Sequence, residues 1–261
     1  MRVEMRSRIA VPVFAVVTLV LSLAYTPAGS AEEPGLLYGT AAVGDQLVAF
    51  NLKAGKVRVI GETGYPLSVA LTFCRPWGMP YTITDTFSPA NQLATLNLST
   101  GAATPVGSPL GETLGIMGLV CSRDGTLYAS QSTASQVSSN GLYTVDRGTG
   151  QASLIGPIGA DKVIMALDFA PDGTLYGASP SALYTIDVLT GQATKVVSFS
   201  GVTKVMGLAI SRDGDFFISD FFPLPQGSAV YALDVSTGAA TPILDTGLAL
   251  VHSIAFKYPG R

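Results

Sequence analysis

The sequence predicts an all-β protein, a five-bladed β-propeller of four-stranded antiparallel blades in which one blade is shared between the N- and C-termini. Three observations predict it. A short motif recurs five times, each recurrence contains four strand-like stretches, and the two chain ends supply complementary parts of one blade.

The motif reads Asn51-Leu-Lys-Ala-Gly55, Asn97-Leu-Ser-Thr-Gly101, Asp146-Arg-Gly-Thr-Gly150, Asp187-Val-Leu-Thr-Gly191 and Asp234-Val-Ser-Thr-Gly238. Its copies start 46, 49, 41 and 47 residues apart. Short strands at that period are the mark of a propeller. The leading Asp or Asn can accept a hydrogen bond from a backbone N–H two residues on, and the Gly supplies a left-handed position that closes a hairpin. Turn chemistry therefore accounts for these five positions without a catalytic role.

The fourth unit shows the order of elements. Val163–Phe169 is almost wholly apolar, as an inner strand buried on both faces should be. Ala170-Pro-Asp-Gly173 turns the chain, with Asp-Gly tolerating the positive φ of a tight turn. Thr174–Gly177 is the second strand, Ala182–Ile186 the third, and Gln192–Val196, after the motif, the outer strand. The C-terminus ends on an inner strand, Val251-His-Ser-Ile-Ala-Phe256, whereas Pro34-Gly-Leu-Leu-Tyr-Gly39 matches the second strand of other units. The expected blades are 251–260 with 36–60, then 67–106, 116–155, 163–198 and 204–243. Sharing one blade between the ends removes free sheet edges at the seam.

Arg2, Arg6 and Arg8 precede an apolar run from Ile9 to Tyr25, and small residues lead to Ala31. This pattern predicts a secretory signal over 1–31 and a single propeller domain over 32–261. The expected mature chain carries 12 basic and 17 acidic side chains, a net charge of −5. Such a surface offers no footprint for nucleic acid or an anionic membrane. The expected location is extracellular or periplasmic, the expected state a monomer. Cys74 and Cys121 are the only cysteines, and an exported chain with two suggests one disulfide. Phe73 and Cys121 occupy equivalent positions in successive blades, so Cys74 lies one residue past its slot.

Ser211-Arg-Asp-Gly214 and Leu142-Tyr-Thr-Val-Asp146-Arg-Gly-Thr-Gly150-Gln-Ala resemble the bacterial secreted propellers of the YVTN, NHL and SMP-30-like kind. The resemblance covers residues 36–258 and lies in blade-building positions, so it implies a fold and little chemistry. Enzymes of the SMP-30-like lactonase type hold a metal with acidic and amide side chains around the channel, and streptogramin-lyase propellers depend on His and Glu. The mature chain offers Glu62, Glu112 and one histidine beyond Glu32-Glu33, and neither set maps onto it.

No catalytic residue, cofactor or metal ligand is therefore assigned. Asp213-Gly-Asp215 with Asp220 is rich in oxygen, but Asp213 is already explained as a turn residue. The single histidine, His252, falls in the inner-strand slot filled elsewhere by Val69, Met117, Met165 and Met206, so these five side chains should ring one end of the channel. Segments that vary between blades, among them Asp85–Asn91, Gln131–Asn140 and Asp220–Ser228, should share a face with the blade-joining loops. On that face His252, Tyr65, Asp220, Phe221 and Phe222 are the candidate ligand-binding residues. Trp77, on the opposite face by this topology, is expected to pack locally. The expected function is a ligand- or protein-binding module for a small molecule, glycan or protein. The alternative is a secreted hydrolase or lyase of the lactonase type, with its site at the channel mouth.

Overall fold

The computed structural model describes residues 36–74, 78–86, 90–110, 115–131, 140–159, 163–222 and 225–258. The expected leader and Trp77 lie outside the described residues. The first three strands are β1 (Leu36–Ala41), β2 (Gln46–Asn51) and β3 (Lys56–Glu62). The second blade is β4 (Val69–Cys74), β5 (Met79–Thr84), β6 (Gln92–Leu96) and β7 (Ala103–Pro105). The third is β8 (Ile116–Cys121), β9 (Leu127–Gln131), β10 (Gly141–Val145) and β11 (Ala152–Pro157). The fourth is β12 (Ala166–Phe169), β13 (Leu175–Ala178), β14 (Ala182–Ile186) and β15 (Ala193–Ser198). The fifth is β16 (Val205–Ile210), β17 (Phe216–Asp220), β18 (Ala229–Leu233) and β19 (Ala240–Asp245), and β20 (Val251–Lys257) follows.

These strands form five four-stranded antiparallel sheets, and β20 pairs with β1 to complete the first. The inner strands β20, β4, β8, β12 and β16 neighbour one another in a closed ring. The protein is a five-bladed β-propeller with its seam inside one blade. The inner strand of the fourth blade starts at Ala166 rather than Val163, although the Met165 N–H already donates to Ala178 O at 2.7 Å.

The repeated motif behaves as turn chemistry requires. Asp146 Oδ1 accepts from the N–H groups of Gly148 (2.9 Å) and Thr149 (2.7 Å), and Asp187 and Asn97 bind their own turns in the same way. The five motif glycines have φ between 61° and 85°. Four of them do a second job. A Cβ on Gly101, Gly150, Gly191 or Gly238 would strike a backbone carbonyl of the preceding blade, at Gly61, Val106, Gly156 and Ser198 respectively, whereas Gly55 faces open space. The hairpin thus also seats one blade against the next.

The hydrophobic core is divided among the blade junctions. Leu37, Phe50, Phe217 and Val251 fill the junction of the fifth and first blades. Tyr38, Leu47, Leu71 and Leu96 fill the next. Equivalent clusters occupy the remaining three. Aromatic pairs cross four junctions at centroid distances of 4.9–5.7 Å: Tyr38–Phe73, Tyr128–Phe169, Tyr176–Phe216 and Phe217–Phe256. At the junction between the second and third blades Cys121 stands in the Phe73 slot, and a disulfide joins Cys74 to Cys121 with Cα atoms 5.2 Å apart.

Candidate functional site at the channel mouth

One irregularity repeated around the ring builds the site. Pairing of β8 with β9 passes from Ile116–Gln131 to Gly118–Ser130, skipping Met117. Pairing of β16 with β17 passes from Val205–Asp220 to Gly207–Ser219, skipping Met206. Pairing of β20 with β1 passes from Ser253–Thr40 to Val251–Ala41, skipping His252. A bulge leaves the extra residue unpaired and re-aims its side chain. Met117, Met165 and Met206 come from three successive blades yet pack as one cluster, with Val163 and Phe221 against it. Side chains from three blades can converge in this way only at the axis. Met117, Met165, Met206 and His252 are 3–8 % exposed, so they fill the mouth and form a floor.

The blade-joining loops and the second-to-third-strand loops share this face. Asp85 N–H donates to Pro66 O (3.0 Å), Val205 N–H to Pro180 O (3.0 Å) and Leu250 N–H to Phe222 O (3.0 Å).

Phe221 and His252 are brought together, edge to face, with ring centroids 4.6 Å apart and planes inclined at 68°. Burial, reinforced by the positive charge of Lys204, pushes the His252 imidazole down to about 4, so it is neutral at pH 7. The exposed Lys204 places Nζ 4.9 Å from the centroid of Phe221. Its backbone is left-handed (φ 58°), as is that of Leu250 (φ 56°), each two residues ahead of a channel-mouth position. Leu67 shares the conformation (φ 50°), but Val69, expected in the ring, pairs with Ile83 and packs in the core between the second and third blades. That conformation belongs to the entry of the inner strand. Lys204 was not among the candidates read from the sequence, and its place two residues before Met206 was the available signal.

The other candidates make contacts of their own. Asp220 is 2 % exposed. Its Oδ1 accepts from Ala229 N–H (2.7 Å) and its Oδ2 from the Tyr231 hydroxyl (2.7 Å). Both oxygens hold the blade together, which takes Asp220 out of the site. Phe222 is half-buried, and its N–H donates to Ser228 Oγ at 3.3 Å. Tyr65 is half-buried in the loop between the first two blades, where its carbonyl accepts from Thr63 Oγ1 (3.0 Å) and Ser68 Oγ (3.2 Å). No interaction among the described residues joins Tyr65 to His252.

Deeper in the ring Asp168 bridges two inner strands. Its Oδ1 accepts from Phe169 N–H (2.8 Å) and its Oδ2 from Ile210 N–H of the next blade (2.7 Å). Burial outweighs those two amide bonds and pushes its carboxyl up to about 7. Thr72 and Ser253 bridge to Cys121 N–H (3.1 Å) and Leu71 N–H (3.2 Å) in the same manner, which marks the role as structural.

Among the described residues no three His, Cys, Asp or Glu side chains converge as metal ligands would. The Asp213 segment is a turn, with Gly214 at φ 89° and Gly214 N–H donating to Ser211 O at 3.1 Å. A cleft of about 450 Å³ opens between Ser108-Pro109-Leu110 and Thr149, Gln151 and Ala152, and none of these described lining residues is ionisable. Among the described residues no helix is long and apolar enough to cross a membrane.

Fold and site together define a five-bladed propeller with a side-chain-filled channel mouth. No protein-family model and no curated protein sequence matches the chain. Solved structures do. A chain of the nidogen/laminin complex aligns at TM-score 0.55 and 11 % identity, over 85 % of this chain and 98 % of that one. Streptogramin B lyase aligns at TM-score 0.47 and 13 % identity, over 78 % of this chain. This chain spans 63 % of the lyase chain. The PQQ-bound aldose sugar dehydrogenase of Streptomyces coelicolor aligns at TM-score 0.46 and 20 % identity, over 67 % of this chain and 62 % of that one. At such identities the likeness concerns the fold alone.

Proposed function

We propose that this protein is an exported recognition propeller whose partner, a small molecule, glycan or protein, meets the face that carries the blade-joining loops. One observation carries the reading. Met117, Met165, Met206 and His252 close the channel mouth into a floor, and Phe221 and Lys204 stand over it. A rigid floor flanked by variable loops offers a preorganised surface, and a half-buried aromatic ring on it can anchor a ligand at small entropic cost. The export of the protein rests on its leader-like N-terminus.

Thermal-shift screening of the full chain against glycan fragments and metabolites, followed by a glycan array, tests the proposal. A ligand should stabilise the wild type and lose most of its effect on a Phe221→Ser, Phe222→Ser double variant that melts near the wild-type temperature. A ligand that binds the double variant as tightly as the wild type overturns the placement.

A further inference from the structure

We propose that Lys204 is the recognition point of this face and that it takes a carboxylate, either free on a small acid or borne by a sugar acid. The inference rests on the reading that a ligand binds this face, and it adds the chemistry of the group that is read.

The cation is exposed yet held in place. Its ammonium lies over Phe221, and Phe221 is fixed by His252 on one side and by the methionine floor beneath. No ion pair involves Lys204 among the described residues. The carboxylate on the neighbouring strand, Asp220, is committed through both oxygens to Ala229 and Tyr231. A cation with no ion-pair partner among the described residues, on one face of a chain with net charge −3, draws an anion to that point. Next to it, His252 is neutral and so has one N–H to donate and one nitrogen to accept. One ammonium and one neutral donor match a monoanion with two oxygens. A phosphate dianion calls for several cations or the planar fork of arginine.

His252 is the only histidine, so in protein freed of any histidine tag its imidazole signals report on this spot alone. Proton NMR of the full chain would be followed during addition of sodium propionate, sodium D-glucuronate and, as an uncharged control, D-glucose. A bound carboxylate within a few ångströms should shift the His252 ring signals at pH 7 and raise the imidazole titration by about one unit. Glucose should do neither, K204M should abolish the response, and K204R should keep it. A response to both acids supports a free carboxylate as sufficient; a response to glucuronate alone supports a sugar-borne one. Imidazole signals unmoved by both acids, moved equally by glucose, or still responsive in K204M would overturn the proposal. A glycan or metabolite ligand that binds K204M normally but not the Phe221, Phe222 double variant would sink this inference and leave the binding face standing.

Discussion

The carbonyl oxygen of Ser198, at the end of β15, occupies the space that a side chain on Gly238 would need. Gly238 also holds a φ of 76°, so two separate constraints exclude every other residue there. Gly55 holds the equivalent turn position in the first blade with a φ of 61° and open space around it. Alanine at Gly55 should therefore cost only the left-handed backbone penalty, about 1 kcal/mol. Alanine at Gly238 adds a backbone overlap and should cost about 3–4 kcal/mol. Denaturant melts of the two variants decide this; equal losses would show that the inter-blade contact carries no weight.

The Cys74–Cys121 disulfide joins two blades across a separation of 47 residues. Closing a loop of that length in the unfolded chain is worth about 4 kcal/mol by the loop-entropy relation. A Cys74→Ser, Cys121→Ser variant should show a matching loss in urea melts. Thiol titration of the unfolded, unreduced protein should find no free thiol.

Neutral His252 makes the fold sensitive to acid. Its folded titration lies below the unfolded value of 6.5, at about 4. The stability that it confers is complete above pH 6.5 and is lost as the pH falls toward 4, to a total of about 3 kcal/mol. His252→Met places in the first blade the residue found at the same slot in Met117, Met165 and Met206. It should leave stability at pH 7 nearly unchanged and flatten the decline between pH 6.5 and 4. An undiminished acid slope in H252M would assign the effect to other groups.

Asp168 acts in the opposite sense. Its carboxyl is raised from 3.8 to about 7 by burial. Its contribution is complete below pH 3.8 and is lost as the pH rises through 7. Asp168→Asn keeps an acceptor for one of the two amides and removes the charge. Its melting temperature should therefore gain on the wild type as the pH is raised from 5 to 8. A constant difference over that range would remove Asp168 from the pH dependence.

Deleting Val251–Arg261 should abolish cooperative folding. Val251, Ile254 and Ala255 are 0–9 % exposed, and β20 is the inner strand that pairs with β1 and packs between β16 and β4. Its removal uncovers two blade junctions as well as its own sheet. A soluble truncated chain with a sharp melt would contradict the interlocked ring.

The sequence by itself determined the number of blades, the order of strands, the hairpins and the shared seam. These are local properties. An Asp146 and its Gly150 fix a turn within five residues, and Val163–Phe169 reveals its burial by composition alone. The position of His252 in the ring of Met117, Met165 and Met206 was legible too, because the repeat aligns them. Tertiary structure alone decided how those side chains reach the axis, since the bulges at Met117, Met206 and His252 exist only in the pairing with a second strand. It alone set Lys204 over Phe221, turned Asp220 into an internal brace and gave Asp168 a partner on the next blade. It also gave Gly238 its second task against Ser198. The Asp168–Ile210 and Gly238–Ser198 contacts cross blade junctions and join residues about 40 positions apart. No local pattern encodes such a contact, because each partner's own neighbourhood is already satisfied by its blade.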